Sequence, residues 1–204
     1  MVELVVTLGS GPSECITHAS SSLVTRTNCL LPYIMEKKMS QLHLEKLTWD
    51  SDYCVEDITK LRVNKEQKSF VASNTESIID AYFATTEEGK HVFPLGIYDG
   101  KKAVGFIMIS YNCCWRDNLD FAKNSYYIWR FMIDKRYQGK GYGKEAMKLA
   151  IDFIRTFPCG KSEYCWLSFE LENEVARKLY LSLGFKEVPE LCGKDEEMPA
   201  VLKL

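Results

Sequence analysis

The chain has 204 residues, of which 46% are hydrophobic and 26% charged, a composition typical of one soluble globular domain and not of a disordered segment. Its formal net charge of −2 gives no reason to expect nucleic acid as a partner. No apolar run reaches the ~20 residues needed to cross a bilayer, so we expect no membrane association. The cysteines show no Cys-x-x-Cys spacing and the histidines stand apart from any paired thiols, which argues against a metal site and predicts reduced thiols in a cytoplasmic protein.

The first part of the chain differs in composition from the rest. Residues 1–38 contain the Gly- and Ser-rich stretch LGSGPSECITHASSS and show no helical period. They also lack the basic start and the continuous apolar core of a secretory signal. We therefore expect a poorly ordered extension at 1–38, followed by a single domain at 39–204.

From residue 40 the apolar pattern becomes regular, and the first half of the domain is predicted to contain strands and two helices. Alternating apolar residues predict a strand at 42–47, and helical spacing predicts helices at 54–61 and 75–85. Residues 91–110 predict a hairpin, because two β-rich runs flank an Asp-Gly pair that favours a tight turn.

The second half of the domain alternates strands and helices. The pattern predicts in turn a polar loop, a long strand, a helix, a strand, a helix and two short strands, at residues 117–124, 125–133, about 141–156, 163–170, about 173–183, 185–188 and 197–203. This order of elements predicts a mixed α/β fold with helices on both faces of one sheet.

The long strand leads into three glycines at alternating positions, Gly139, Gly141 and Gly143, which open the next helix. The segment fails the dinucleotide fingerprint, because Lys144 stands where a third glycine is required. It also fails the P-loop pattern, because Gln138 stands in place of the first glycine. Both common phosphate motifs are therefore excluded.

A glycine-rich turn at a helix N-terminus nevertheless presents free backbone N–H groups and the positive end of the helix dipole to one place, which is an anion site. Neighbouring cations favour a polyanion such as a pyrophosphate; they are Lys135, Arg136, Lys140 and Lys144. The alternative is a turn that uses glycine only for its positive φ. The strand before the turn and the amphipathic helix after it favour the anion site.

Two motifs in this half of the chain resemble the GNAT acetyltransferase superfamily. Residues 138–143, QGKGYG, fit its Gln/Arg-x-x-Gly-x-Gly/Ala signature. Residues 173–188, NEVARKLYLSLGFKEV, are similar to its Asn-x-x-Ala-x-x-x-Tyr-x-x-x-Gly-Phe element. With the order of strands, the resemblance covers residues 40–204. It implies the GNAT acyl-CoA N-acyltransferase fold, a central, mostly antiparallel sheet that is splayed at the cofactor site.

The resemblance implies acetyl-CoA as co-substrate and no metal. The implied cofactor contacts comprise the main chain of the strand end, which would pair with the pantetheine arm like an extra strand, the glycine turn, and one asparagine; they are Phe131, Met132, Ile133, Gln138, Gly139, Lys140, Gly141, Tyr142, Gly143, Lys144 and Asn173. The alternative for Asn173 is a helix N-cap.

The resemblance also implies a role for Tyr180, whose hydroxyl would protonate the departing CoA thiolate. At 100° per residue, Asn173, Ala176 and Tyr180 share one helical face, whereas Val175 and Leu179 are expected to turn into the core. The alternative for Tyr180 is a half-buried tyrosine that covers the sheet edge.

The general base is left open by the sequence. Many relatives carry a carboxylate on the long strand, but here Trp129 and Arg130 occupy its middle. Deprotonation of the amine would then run through water, or through Glu170 or Glu172 after the next strand.

The acceptor is expected to be a small-molecule amine. The segment YYIWRFMIDKRYQGKGYGK and the short N-terminal helices resemble bacterial spermine/spermidine acetyltransferases. Carboxylates and aromatic faces suit a polyamine; the expected contacts are Tyr111, Trp115, Asp117, Asp120, Trp129 and Glu170. The alternatives are a solvated loop at 117–120, another acceptor such as a protein amine or an amino-bearing antibiotic, or a non-catalytic acyl-CoA sensor. For assembly, a homodimer is one option that the sequence leaves open.

Overall fold

A computed structural model describes residues 41–49, 52–112, 120–193 and 197–204. The extension predicted at 1–38 lies outside the described residues, and so do residues 117–119 of the loop predicted at 117–124. None of the helices in the described segments is both long and apolar enough to span a membrane.

The described residues form one sheet with helices on both faces, which confirms the predicted fold class. The strands are β1 Leu42–Lys46, β2 His91–Asp99, β3 Lys102–Tyr111, β4 Tyr126–Ile133, β5 Tyr164–Phe169, β6 Lys186–Glu187 and β7 Met198–Lys203. The helices are α1 Val55–Lys60, α2 Asn74–Thr86, α3 Tyr142–Arg155 and α4 Glu174–Ser182, with 3₁₀ turns at Lys65–Gln67, Asp120–Ala122 and Pro189–Leu191. The predicted elements are all present and differ only at their ends.

The strand order is β1-β2-β3-β4-β5-β7-β6. The pairs from β1 to β4 are antiparallel, and so are β5 with β7 and β7 with β6. The pair β4 and β5 is parallel, because α3 crosses over the sheet between these two strands. This parallel pair lies at the centre of the sheet, with antiparallel strands on both sides.

Two apolar layers hold the helices against the sheet. The amphipathic pattern of α3 places Ala146, Met147 and Ile154 in the layer on one face, which also contains residues of α4. The layer on the other face joins Ile58 of α1 and Ala81 of α2 to the sheet. Burial of these side chains therefore fixes the positions of all four helices relative to β4.

Gly105 of β3 allows the close approach of β4 where the latter ends. A Cβ at Gly105 would lie 2.5 Å from the carbonyl oxygen of Met132 and 2.9 Å from Cδ1 of Ile133. We expect Gly105→Ala to lower the free energy of unfolding by about 1–3 kcal/mol, because the backbone of β4 must shift to admit the methyl group. Thermal unfolding checks this, with a fall in Tm of roughly 2–12 °C.

Gly143→Ala is the matched control for that experiment, because a Cβ there would meet Cδ2 of Leu179 at 3.7 Å, an ordinary contact. In a helix, alanine should keep or raise stability. Equal Tm values for Gly105→Ala and the unmodified protein would contradict the close packing of β3 on β4.

Candidate active site

The parallel strands β4 and β5 separate from each other after a short pairing. Both strands are fully described, and only two residue pairs join them: Tyr126 with Cys165 and Tyr127 with Trp166. Beside the point of separation, the register of β4 against β3 shifts, with Trp129 as the extra residue. The edge of β4 beyond this bulge therefore faces a gap in the sheet, where its N–H and C=O groups are available to an extended ligand.

The glycine turn between β4 and α3 has the geometry of an anion site. Gly139 and Gly141 have φ of +72° and +89°, and Gly141 is the N-cap of α3. The N–H groups of residues 139–143 donate to no carbonyl within the described chain. A Cβ at Gly139 or Gly141 would have no atom within 4 Å. Free donors and open space thus occur together at the helix N-terminus, which is what a phosphate requires.

Gln138 ties this turn to two other segments. Its Nε2 donates to the carbonyl oxygen of Ile133 and to Oε1 of Gln67, both at 2.9 Å. Its Oε1 accepts from Nδ2 of Asn64 at 3.0 Å. Gln138 therefore fixes the turn against the end of β4 and against the connection between α1 and α2.

The buried Asp134 fixes the start of the same turn. Its carboxylate accepts from the backbone N–H of Arg62 at 2.9 Å and from Nε of Arg136 at 2.7 Å. Burial alone would raise the pKa of Asp134, but the hydrogen bonds from Arg136 and from the backbone outweigh it and lower the pKa. Arg136, one of the predicted phosphate cations, is thus engaged with a carboxylate.

The side chains of the turn point in several directions. Nζ of Lys140 donates to the carbonyl oxygen of Arg136 at 2.8 Å. The Tyr142 hydroxyl donates to Oδ2 of Asp99 at 2.6 Å, and this hydrogen bond raises its pKa. Lys144 is exposed. Neither these three residues nor Gly141 lines the cleft described next, so the cofactor contacts of all four stay a prediction.

A cleft of about 420 Å³ runs along the gap between β4 and β5. Its walls come from the α1–α2 connection, the open edge of β4, the glycine turn, α4 and the residue before β7. The structure brings together eight predicted site residues in this lining: Trp129, Phe131, Met132, Ile133, Gln138, Gly139, Gly143 and Asn173. Tyr180, the predicted acid, is also part of it.

Tyr180 is both a core residue and a cleft residue. Its side chain is 7% exposed and packs between the rings of Phe169 and Phe185, with centroid distances of 5.6 and 6.0 Å. Burial, together with the negative charges that Tyr127 and Glu197 carry when ionised, raises the pKa of its hydroxyl well above the usual value. Tyr180 therefore carries its proton at neutral pH.

The start of α4 borders the cleft through Asn173 and Val175. The Asn173 side chain accepts from the backbone N–H of Ala176 at 3.2 Å, so Asn173 is an N-cap and a cleft residue at once. The expectation that Val175 turns into the core is wrong, because its side chain is 75% exposed. Val175 instead lines the cleft, because the side of α4 on which it lies borders the gap between β4 and β5.

The predicted acceptor residues are only partly brought together. Trp129 lies in the cleft beside Arg130, whose guanidinium carbon is 5.4 Å from the Trp129 ring centroid. Tyr111 is not in the lining, because it pairs with Tyr126 at the opposite end of β4. The Asp120 carboxylate is 96% exposed, 3.0 Å from Nζ of Lys123, and not in the lining either.

The remaining acceptor predictions have mixed outcomes. Glu170 does not line the cleft; burial and the neighbouring charges of Glu197 and Glu172 raise its pKa. Trp115 and Asp117 lie outside the described residues. Among the residues that the structure does describe, no three His, Cys, Asp or Glu side chains converge as metal ligands would.

The model of the acetyltransferase (GNAT) family matches residues 55–185, which include the bulge, the glycine turn and Tyr180. The chain belongs to this family. The resemblance in the two motifs is thereby confirmed, and the protein is an acyltransferase enzyme of the N-acetyltransferase type and not a sensor.

Within the GNAT family the chain is similar to a spermine/spermidine N(1)-acetyltransferase of Bacillus subtilis, with 31% identity over 69% of this chain and 87% of that protein. Solved GNAT structures share its fold at lower identity. The PaiA N-acetyltransferase of Thermoplasma acidophilum in complex with coenzyme A has a TM-score of 0.54 and 15% identity over 80% of this chain and 99% of that one. An aminoglycoside acetyltransferase in complex with coenzyme A has a TM-score of 0.58 and 14% identity over 79% and 94%.

Several residues of this GNAT cleft were missed by sequence reasoning. The α1–α2 connection supplies Val63, Gln67, Ser69, Phe70, Val71 and Ala72 to the lining. Ser168 of β5 and Glu197 before β7 also line it, and they are hydrogen-bonded to each other. No local pattern marks these residues, because each reaches the cleft only through long-range pairing of strands or packing of helices.

Proposed function

We propose that this protein transfers an acetyl group from acetyl-CoA directly to a primary amine, and that the amine is a polyamine such as spermine or spermidine. The observation that supports a polyamine as the acceptor is the similarity to the Bacillus spermine/spermidine acetyltransferase, which extends over 87% of that protein. The cleft supports the transfer itself, because it joins an anion-binding turn to a buried tyrosine hydroxyl.

The residues of the cleft fit acetyl-CoA. The open space beside Gly139 and Gly141 and the free N–H groups there suit a pyrophosphate. The unpaired edge of β4 over Phe131 and Ile133 suits an extended pantetheine arm, although the Ile133 carbonyl also accepts from Gln138. When bound, acetyl-CoA supplies an acetyl group activated as a thioester.

The chain's own residues would then hold and move protons. Tyr180 protonates the departing sulfur, because its side chain lines the cleft and a tyrosine hydroxyl carries its proton at neutral pH. Trp129 offers an aromatic face to a cationic acceptor. The positive charge of Arg130 in the same wall is offset by Asp80, whose Oδ2 lies 3.6 Å from the guanidinium.

We expect spermine and spermidine to be acetylated with a kcat/KM about tenfold above that of a lysine peptide or an aminoglycoside, the difference that one additional charge-assisted contact supplies. Added salt should lower kcat/KM for spermidine, because carboxylate charge attracts the polycation. Initial rates of acetyl-CoA consumption at low and high ionic strength measure both effects. A lysine peptide or an aminoglycoside acetylated faster than spermidine would replace the polyamine as acceptor.

Single Asp-to-Asn variants serve as controls for the acceptor loop. Asp120→Asn should leave KM for spermidine unchanged, since its carboxylate is exposed and paired with Lys123. Asp117→Asn tests the other predicted carboxylate of the loop in the same way. A raised KM for either variant would restore that residue to the acceptor site.

A further inference from the structure

We propose that Glu197 receives the ammonium group of the acceptor and takes its proton, and that Ser168 and Tyr127 hold the Glu197 carboxylate in position. This inference rests on the proposed acetylation of an amine. It concerns the general base, which the sequence left open between water, Glu170 and Glu172.

Three side chains form a directed chain of hydrogen bonds that ends on the Glu197 carboxylate. Oγ of Ser168 donates to Oε2 of Glu197. Because the Ser168 proton is used in this way, Oγ accepts from the hydroxyl of Tyr127 at 3.2 Å. Oε1 of Glu197 makes no hydrogen bond within the described residues, and Glu197 lines the cleft. One carboxylate oxygen is therefore anchored and the other is available to a donor.

The pairing of strands explains how these residues meet. Ser168 pairs with Pro199 of β7, and Glu197 stands directly before that strand. Tyr127 stacks on Trp166, two residues before Ser168 on the same face of β5, with ring centroids 4.0 Å apart. The antiparallel ladder between β5 and β7 thus fixes the chain of hydrogen bonds.

Glu197 and Tyr180 approach the cleft from opposite faces of the sheet. Tyr180 packs on Phe169, which points to the face that carries α3 and α4. Ser168, the neighbour of Phe169 in β5, points to the other face, and so Glu197 belongs to that face too. Where β4 and β5 separate, the sheet has a gap that opens to both faces. The Tyr180 hydroxyl and the Glu197 carboxylate therefore border the same gap from its two sides.

The other carboxylates are less suited to this role. Neither Glu170 nor Glu172 lines the cleft, and Glu172 is exposed. Burial and the negative charge of Glu197 together raise the pKa of Glu170, which favours its neutral form. Among the described carboxylates, Glu197 is the one that combines a position in the cleft lining with a hydrogen bond that holds it there, from Oγ of Ser168.

The proton transfers of the reaction can be assigned to two groups, Glu197 as the base and Tyr180 as the acid. The acceptor ammonium gives one proton to Glu197, and the freed nitrogen electron pair forms the bond to the acetyl carbonyl carbon. The carbon–sulfur bond breaks, and the leaving sulfur takes the proton of Tyr180. The nitrogen then gives a second proton back to Tyr180 and remains as the amide, while Glu197 releases its proton to water.

The test compares Glu197→Gln, which keeps the size and the contact with Ser168, with Glu190→Gln, the same change at an exposed residue of the preceding connection. Turnover is first measured on spermidine, spermine, a lysine peptide and an aminoglycoside, and the variants are assayed on the amine that the unmodified protein acetylates fastest. Calorimetry measures the binding of that amine to the protein saturated with CoA, and the binding of CoA itself.

We expect Glu197→Gln to lower kcat/KM by about 10²–10⁴-fold and to weaken amine binding roughly tenfold, with CoA affinity and Tm unchanged. Glu197→Asp should recover part of the loss, because it keeps the charge. Ser168→Ala, which only positions the carboxylate, should lower kcat/KM by roughly 3–10-fold. Glu190→Gln should match the unmodified protein.

Two results with Glu197→Gln would overturn the assignment. One is a Glu197→Gln protein with near-normal kcat/KM and amine binding. The other is a Glu197→Gln protein whose Tm and CoA affinity fall along with its amine affinity, because the carboxylate would then serve the fold. If spermidine is inert and another amine is acetylated, the polyamine proposal fails and the variants on that amine still decide the role of Glu197. A protein inert toward all four amines overturns both proposals.

Discussion

Tyr180→Phe should lower kcat by about 10²–10⁴-fold, the loss typical of a missing general acid, while the affinity for CoA changes little. The reason is that phenylalanine keeps the ring contacts with Phe169 and Phe185 and removes only the hydroxyl. Burial holds the pKa of that hydroxyl above its usual value, so it stays protonated across the ordinary assay range. Steady-state kinetics of the purified variant, with calorimetry of CoA binding, measure both quantities.

The leaving group gives a sharper criterion than the rate alone. A thioester whose thiol is more acidic departs with less help from an acid, so Tyr180→Phe should slow its transfer less than that of acetyl-CoA. A merely structural tyrosine would give the same small effect for every leaving group. Full activity of Tyr180→Phe with acetyl-CoA would end the assignment of the acid.

Tyr98→Phe is the matched control for this variant. Tyr98 is fully buried, and its hydroxyl has no hydrogen-bond partner among the described residues. It does not line the cleft. Removal of its hydroxyl should leave kcat and CoA affinity unchanged. A loss of activity in Tyr98→Phe would mean that removing a buried hydroxyl outside the cleft also lowers the rate, and the effect of Tyr180→Phe could then not be assigned to a missing acid.

The parts of the fold that local sequence determines could be predicted. The run from β4 through the glycines into α3 is contiguous, so strand length, positive φ and amphipathic spacing together placed the anion site. The position of Tyr180 beside Asn173 could be predicted for a similar reason, because an i, i+3, i+7 face links the two along one helix. The role of Tyr180 as the acid was implied by the family resemblance and stays a prediction. In both cases the residues that act together are close in sequence.

The acceptor side could not be predicted, because its residues meet only through long-range pairing. Glu197 reaches the cleft through the ladder between β5 and β7, and no feature of its own sequence marks it. Tyr111 illustrates the same limit. It stands near Asp117 and Asp120 in the chain, but the antiparallel register places it opposite Tyr126, far from the end of β4 that borders the glycine turn, so its contact with the acceptor stays a prediction.

Gly141→Asp should weaken CoA binding by roughly 10–100-fold, corresponding to about 1.5–3 kcal/mol. Gly141 has a φ of +89°, so any side chain there is strained whatever the available space. The aspartate would also place a negative charge at the helix N-terminus, in the open space that we assign to the pyrophosphate. Like charges repel there, and the variant removes the site's attraction for an anion. Isothermal calorimetry with CoA measures the change.

Two controls separate the contributions of strain, charge and position. Gly141→Asn adds a side chain of nearly the same size without charge, and asparagine tolerates positive φ better than most residues, so its Kd should lie between those of the unmodified protein and Gly141→Asp. The difference between the Asp and Asn variants should shrink as salt rises, because salt screens the charge and not the backbone strain. Gly89→Asp places the same residue at another positive φ, +63°, with no atom within 4 Å of the added Cβ, but in the connection between α2 and β2 and not at the N-terminus of α3. It should lower stability yet keep the CoA affinity.

Equal CoA affinity for Gly141→Asp and the unmodified protein would show that the pyrophosphate does not bind at the glycine turn. If it did bind there, a negative charge among the free N–H donors would weaken its binding.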